Sequence, residues 1–134
     1  MVLFGGLMKP TQTASNSIAV LDLKTYQWTS GNIGPAARLS HAAVEDGASV
    51  FVFGGVNEKY TEMLDAWEYN LEKNRWRQLA YKTSIPSTRV YKSGGGTTTQ
   101  GGILDHSAVY VKRKMIAFGG LSYGTSQSAI LALP

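Results

Sequence analysis

Three segments of this chain end a run of large apolar residues in a phenylalanine and two glycines: "VLFGG" at Val2–Gly6, "VFVFGG" at Val50–Gly55 and "MIAFGG" at Met115–Gly120. A terminus used three times marks a repeated structural unit, and a repeat constrains every other assignment. Phe4-Gly5-Gly6, Phe53-Gly54-Gly55 and Phe118-Gly119-Gly120 lie 49 and 65 residues apart. Other residues keep step. Trp28 follows Phe4 by 24 residues and Trp76 follows Phe53 by 23, while His41 precedes Phe53 by 12 and His106 precedes Phe118 by 12. The longer interval reads as the same unit with an insertion, since Arg38 to His41 spans 3 residues and the matching Arg89 to His106 spans 17. The inserted residues 90–104, "VYKSGGGTTTQGGIL", carry neither a helix nor a strand period and are expected to form a loop.

Each unit reads as strands. "HAAVED" and "SVFVFGG" flank Gly47 as a hairpin would, and "HSAVYV" and "KMIAFGG" flank Lys112-Arg113-Lys114 in the same way. "IAVLDL" and "YQWTS" are joined by the polar Lys24-Thr25, as "AWEYNL" and "RWRQL" are by Glu72-Lys73-Asn74. No stretch holds an apolar period of 3.6 for three turns, so the unit is expected to be a four-stranded antiparallel meander with little helix. The near-continuous apolar run before Gly54 suits a strand buried on both faces. The glycines would then end it where backbones approach closely or where positive φ is needed.

At 134 residues, 43% hydrophobic and 16% charged, the chain has the make-up of one soluble globular domain. Its longest apolar runs have strand length, far short of a spanning helix, and "MVLFGGLMK" lacks the form of a leader peptide. Cysteine is absent, which removes disulfides and thiolate chemistry and is compatible with a reducing, cytoplasmic setting. The net charge of +4 is uneven: residues 1–72 hold 4 basic and 8 acidic side chains, residues 73–134 hold 9 and 1. A basic half admits an anionic surface or nucleic acid as partner, through Lys73, Arg75 and Arg77 along one strand face and Lys112, Arg113 and Lys114.

The apolar run into Gly54-Gly55, the downstream Tyr69, Trp76 and the Arg-x-x-His start at Arg38 to His41 resemble the kelch repeat. The first unit departs from the pattern with Leu21 in place of Tyr69, and the third departs through its insertion. The resemblance implies an all-β fold of β-propeller blades, here an incomplete ring. On that reading residues 1–34 form an incomplete first blade, 35–80 a complete one and 81–134 an incomplete last one. Such a chain is expected to be a piece of a longer propeller, or to close by pairing open blade edges with a partner or a second copy.

In a meander the connections from strand two to three, and from strand four to the next blade, emerge at one end, and here those are the long ones. Binding residues concentrate on such loops. The expected partner-contacting residues are Arg38, Arg89, Tyr91 and Lys92, with Tyr60 and Tyr123 beside them. The resemblance implies an arginine near the first strand that contacts an acidic peptide. The alternative for each arginine is to tie blades together through carbonyls or carboxylates. His41, His106, Trp28 and Trp76 recur at repeat positions and are expected to pack between blades, while the repeat glycines Gly5, Gly6, Gly54, Gly55, Gly119 and Gly120 are expected to end strands. No G-x-S-x-G, H-E-x-x-H or complete phosphate-loop motif is present, since Gly102 stands where "GTTTQGG" would need a lysine. The expected function is a non-catalytic scaffold that binds a protein or peptide and needs neither metal nor cofactor. The alternative is the propeller portion of a larger enzyme, as in galactose oxidase, although no matching copper-ligand set is recognisable.

Overall fold

The computed structural model describes residues 1–81, 89–93, 96–100, 102–122, 125–126 and 130–133, with side chains described for 1–81 and 102–122. The chain opens with β1 (Val2–Phe4), a small hairpin of β2 (Leu7–Met8) and β3 (Thr13–Ala14), then β4 (Ile18–Leu21) and β5 (Trp28–Ser30). β6 (Ala42–Glu45), β7 (Ser49–Phe53), β8 (Ala66–Asn70) and β9 (Arg75–Leu79) follow. The remainder comprises β10 (Arg89–Ser93), β11 (Gly96–Gln100), β12 (Ser107–Val111), β13 (Lys114–Phe118), β14 (Leu121–Ser122), β15 (Thr125–Ser126) and β16 (Ile130–Leu133). No helix occurs among the described residues.

The strands pair in the order expected of meanders. The central sheet is β6-β7-β8-β9, all antiparallel, and it is flanked by β1-β4-β5 and β12-β13-β16. The flanking sheets hold three strands each, corresponding to the last three and the first three strands of the central one. Local chemistry sets the turns. Lys112 and Arg113 both take positive φ between Val111 and Lys114, the geometry that matches the twist of a two-residue hairpin. Between β6 and β7 the Asp46 carboxylate accepts the backbone N–H groups of Ala48 and Ser49, while Gly47 supplies a φ of 91°.

β7 shows why an unbroken apolar run was required. Val50 and Val52 face the first sheet, whose Ile18, Val2 and Phe4 cluster with them and with Tyr69 and Trp76 of the central sheet. Phe51 and Phe53 face the third sheet and join Ala42, Leu79, Ile103, Met115 and Ala117. All five residues of β7 are buried; Ser49 at its start donates to the Glu68 carboxylate at 2.8 Å, while a polar side chain at Val50 to Phe53 would lose water to an apolar cluster. At the strand's end Gly54 and Gly55 have φ of 65° and 98°. A Cβ on Gly54 would sit 2.6 Å from the Ile103 carbonyl oxygen, and one on Gly55 2.8 Å from that of Leu39. Both reasons for a glycine pair, positive φ and close approach, hold at this corner.

A polar clasp joins the first two sheets. Asn74 Oδ1 accepts the Tyr69 hydroxyl at 2.6 Å and the Asn32 backbone N–H at 2.7 Å, and the Trp76 indole donates to the Asn32 carbonyl at 3.1 Å. Trp76 also rests on Phe4, with ring centroids 4.7 Å apart.

One expectation needs correction. Residues 90–104 do not form a plain loop: β10 and β11 make an antiparallel hairpin there, with Arg89 opposite Gln100 and Ser93 opposite Gly96. Val, Tyr and three consecutive threonines favour extended backbone through β-branched and aromatic side chains even without alternation. Trp28, expected to pack between blades, is 48% exposed. Trp28, opposite Leu21 as Trp76 is opposite Tyr69, holds the same repeat position on the far face of the first sheet, against which no described sheet packs, whereas the β1 sheet covers Trp76.

Candidate functional site

The two ends of the stacked sheets differ in kind. At one end lie tight turns, Asp46–Ala48 and Lys112–Arg113 among them. At the other, the β1-to-β4 connection carries the β2-β3 hairpin, the β13-to-β16 connection carries β14-β15, and the β7-to-β8 connection is closed by a Val56–Glu62 bridge. The β10-β11 hairpin belongs to the connection between β9 and β12, which leaves the central sheet at the same end.

Arg38 stands beneath this loop face. Its guanidinium makes a bidentate pair with Asp65, at 2.8 and 2.9 Å, and donates to the carbonyls of Gly54 and Ala36 at 3.0 Å each. Asp65 also accepts the Trp67 indole N–H at 2.6 Å. Burial pushes the Asp65 carboxyl up, but the hydrogen bonds and charge of Arg38, with the indole, outweigh it and hold the carboxyl below its usual range. The Arg38 side chain is 0% exposed, which corrects its expected place among partner-contacting residues. Its donors are turned onto the strand ends of its own sheet, so it ties one blade internally rather than joining adjacent blades as the alternative expected.

The pairing of Arg38 with Arg89 also needs correction. Gly6 N–H bonds the Arg38 carbonyl at 2.8 Å, and Gly55 N–H bonds the Ile103 carbonyl at 2.7 Å. Leu39 bridges Val56 as Leu104 bridges Leu121. Ile103, three residues before His106, therefore occupies the repeat position of Arg38, and Arg89 opens the inserted hairpin. The isoleucine carries no arginine-like signal, and only the His106 spacing could have located it.

His41 lies edge-on to Phe4, with centroids 5.3 Å apart, and His106 lies edge-on to Phe53 at 5.2 Å, so each ring spans from one sheet to the preceding one. Burial lowers both pKa values to about 4; the Arg38 charge and His106 add to the effect at His41, and Asp105 opposes it at His106. Both rings are neutral at pH 7.

Of the other expected contact residues, Tyr60 is 80% exposed on the β7-to-β8 connection, with a φ of 59°. It borders a crevice of about 250 Å³ that Leu7, Gln12, Leu39, Asn57 and Glu58 also line, between the loops of the first two sheets. Arg89, Tyr91 and Lys92 lie on β10, and their side chains, like Tyr123 as a whole, fall outside the described residues. Lys73, Arg75 and Arg77 line a shallow cleft with Glu68 and Asn70, where Arg77 is ion-paired to Glu68. Lys112, Arg113 and Lys114 are exposed at the tight-turn end. Among the described residues no three His, Asp or Glu side chains gather as a metal-binding group. No helix of the described residues is long and apolar enough to cross a membrane.

A family model described as the KLHDC2/KLHL20/DRC7 Kelch-repeats domain matches residues 1–133. The chain belongs to the kelch-repeat family. Kelch domain-containing protein 1 of Mus musculus is 36% identical over 93 residues, covering 64% of this chain and 21% of that protein. Kelch domain-containing protein 2 of Homo sapiens is 31% identical over 94 residues, 64% of this chain and 20% of that protein. Ras guanine nucleotide exchange factor F of Dictyostelium discoideum is 28% identical over 121 residues, 87% of this chain and 10% of that protein. The kelch chain thus spans between a tenth and about a fifth of these relatives.

Proposed function

We propose that this kelch chain is a protein-interaction module that holds a peptide or protein partner on its loop face and makes or breaks no bond. The observation that carries the reading is the convergence, at one end of the stack, of elaborated connections from successive sheets around the crevice at Tyr60. Rigid strands fix the spacing of these loops, so their side chains are presented without further ordering cost. An exposed tyrosine suits such a surface because it offers large contact area with few rotatable bonds.

Selection of random linear peptides from a display library on the purified chain tests the reading. Peptides that bind the chain, and lose at least about ten-fold in affinity on Tyr60→Ser, support it. An empty selection, or peptides whose binding Tyr60→Ser leaves unchanged but Asp22→Asn at the tight-turn end weakens, would overturn it.

A further inference from the structure

We infer that the crevice between Gln12 and Tyr60 receives a lysine or arginine side chain of the partner, an inference that rests on the loop-face reading above. The sign of the charge is the first reason. With Arg38 turned inward and paired to Asp65, Glu58 is the residue lining the crevice that carries a charge. Its carboxylate accepts the Ala14 backbone N–H at 3.4 Å, at the long limit of a hydrogen bond, and forms no ion pair among the described residues. A carboxylate so placed has acceptor capacity to spare.

Shape and polarity agree. Leu7 and Leu39 supply apolar wall along which the aliphatic stem of a long basic side chain lies while its head group stays polar. The Gln12 side-chain amide donates to the Lys9 carbonyl at 2.8 Å, so its own carbonyl oxygen is left to accept. The Tyr60 ring offers a π face to the same cation. The loop that carries it is fixed by Asn57, whose side-chain oxygen accepts the N–H groups of Lys59 and Thr61 at 2.9 Å each, while Tyr60 N–H donates to the Asn57 carbonyl at 2.9 Å. At about 250 Å³ the crevice is smaller than the roughly 300–1,000 Å³ of small-molecule sites and is suited to a single side chain. Acceptors come from both loops, Gln12 from one sheet and Glu58 from the next, so a cation engages both.

The peptides selected above supply the experiment. The wild-type chain is expected to enrich lysine or arginine at one position of the selected sequences. Glu58→Gln is expected to lose that enrichment and to bind the wild-type-selected peptides about five-fold more weakly, and Glu58→Lys to turn the preference toward aspartate or glutamate. Lysine-to-arginine exchange at the enriched position shows which cation fits better. Unchanged urea midpoints in the variants confirm that folding is intact. Peptides that bind at Tyr60 with no basic preference, or keep it in Glu58→Gln, would overturn this inference and leave the loop-face reading standing; an empty selection would overturn both.

Discussion

Arg38 and Asp65 face each other across the first and third strands of the central sheet, as a bidentate ion pair whose arginine is wholly buried. The guanidinium also caps the Gly54 carbonyl where β7 ends, so one side chain fastens three strand ends. A buried charge left without its counter-ion is costly, about 3–5 kcal/mol, although a well-packed apolar pair in its place need not be. Asp65→Ala is therefore expected to lower unfolding stability by about 3 kcal/mol, and Arg38→Met with Asp65→Leu by much less. Urea denaturation of the wild type, Asp65→Ala and the double variant measures this. Equal losses in the two variants would show that packing rather than pairing holds this corner.

Stability should fall between pH 6.5 and 4 because of the two buried histidines. Their folded pKa values of about 4 lie below the unfolded value near 6.5, so the unfolded chain binds more protons in that window. Their contribution is fully present above pH 6.5 and is lost as pH falls toward 4. From pH 7 to pH 5 the loss is expected to be about 2–4 kcal/mol for the pair. Asp65, held below its ordinary range, adds a separate loss only below about pH 4. Urea midpoints at pH 7, 6 and 5 test this, and His41→Gln with His106→Gln should flatten the trend.

The repeat was legible because close packing leaves no freedom at its landmarks. Phe53 must fill the gap to the third sheet, and no side chain fits between Gly55 and the Leu39 carbonyl, so the letters recur. The hairpin of β10 and β11 was not legible, since "GTTTQ" has no apolar alternation. The role of Arg38 depended on Asp65, 27 residues away and marked by no motif. Glu58 and Gln12 were likewise silent, because a crevice between two loops is a property of their approach rather than of either sequence.

The glycine pairs should not be equally sensitive to substitution. Gly6 and Gly55 both take positive φ, 91° and 98°, but a Cβ on Gly6 meets nothing within 4 Å, whereas one on Gly55 meets the Leu39 carbonyl oxygen at 2.8 Å and His41 Cβ at 2.9 Å. Gly6→Ala is expected to cost the backbone term alone, about 1–2 kcal/mol. Gly55→Ala adds displacement of the neighbouring strand entry and is expected to cost at least about 3 kcal/mol. Thermal unfolding of both variants separates the two contributions, and equal shifts would show that the contact is relieved by a small backbone movement.

The outer faces of the stack are expected to drive self-association. On the first sheet Leu3 and Trp28 share the far face with Leu21, and on the third Val109, Val111 and Phe118 share another; the five residues other than Leu21 are each between 45% and 59% exposed. The register fixes this, because residues opposite one another in an antiparallel pair point the same way, which sets Val109 with Ile116 and Phe118 with Ser107. Contiguous apolar surface of this kind favours contact with another molecule over contact with water. Light scattering over a range of concentrations is therefore expected to give a weight-average mass that rises above 14.5 kDa. Val109→Lys with Phe118→Lys places two cations on the third-sheet face and should lower the mass at a given concentration, leaving the first-sheet face as the remaining contact, and folding is unaffected since neither side chain contributes to the core between the sheets. A wild-type mass constant at 14.5 kDa would show that these faces are too small or too curved to associate.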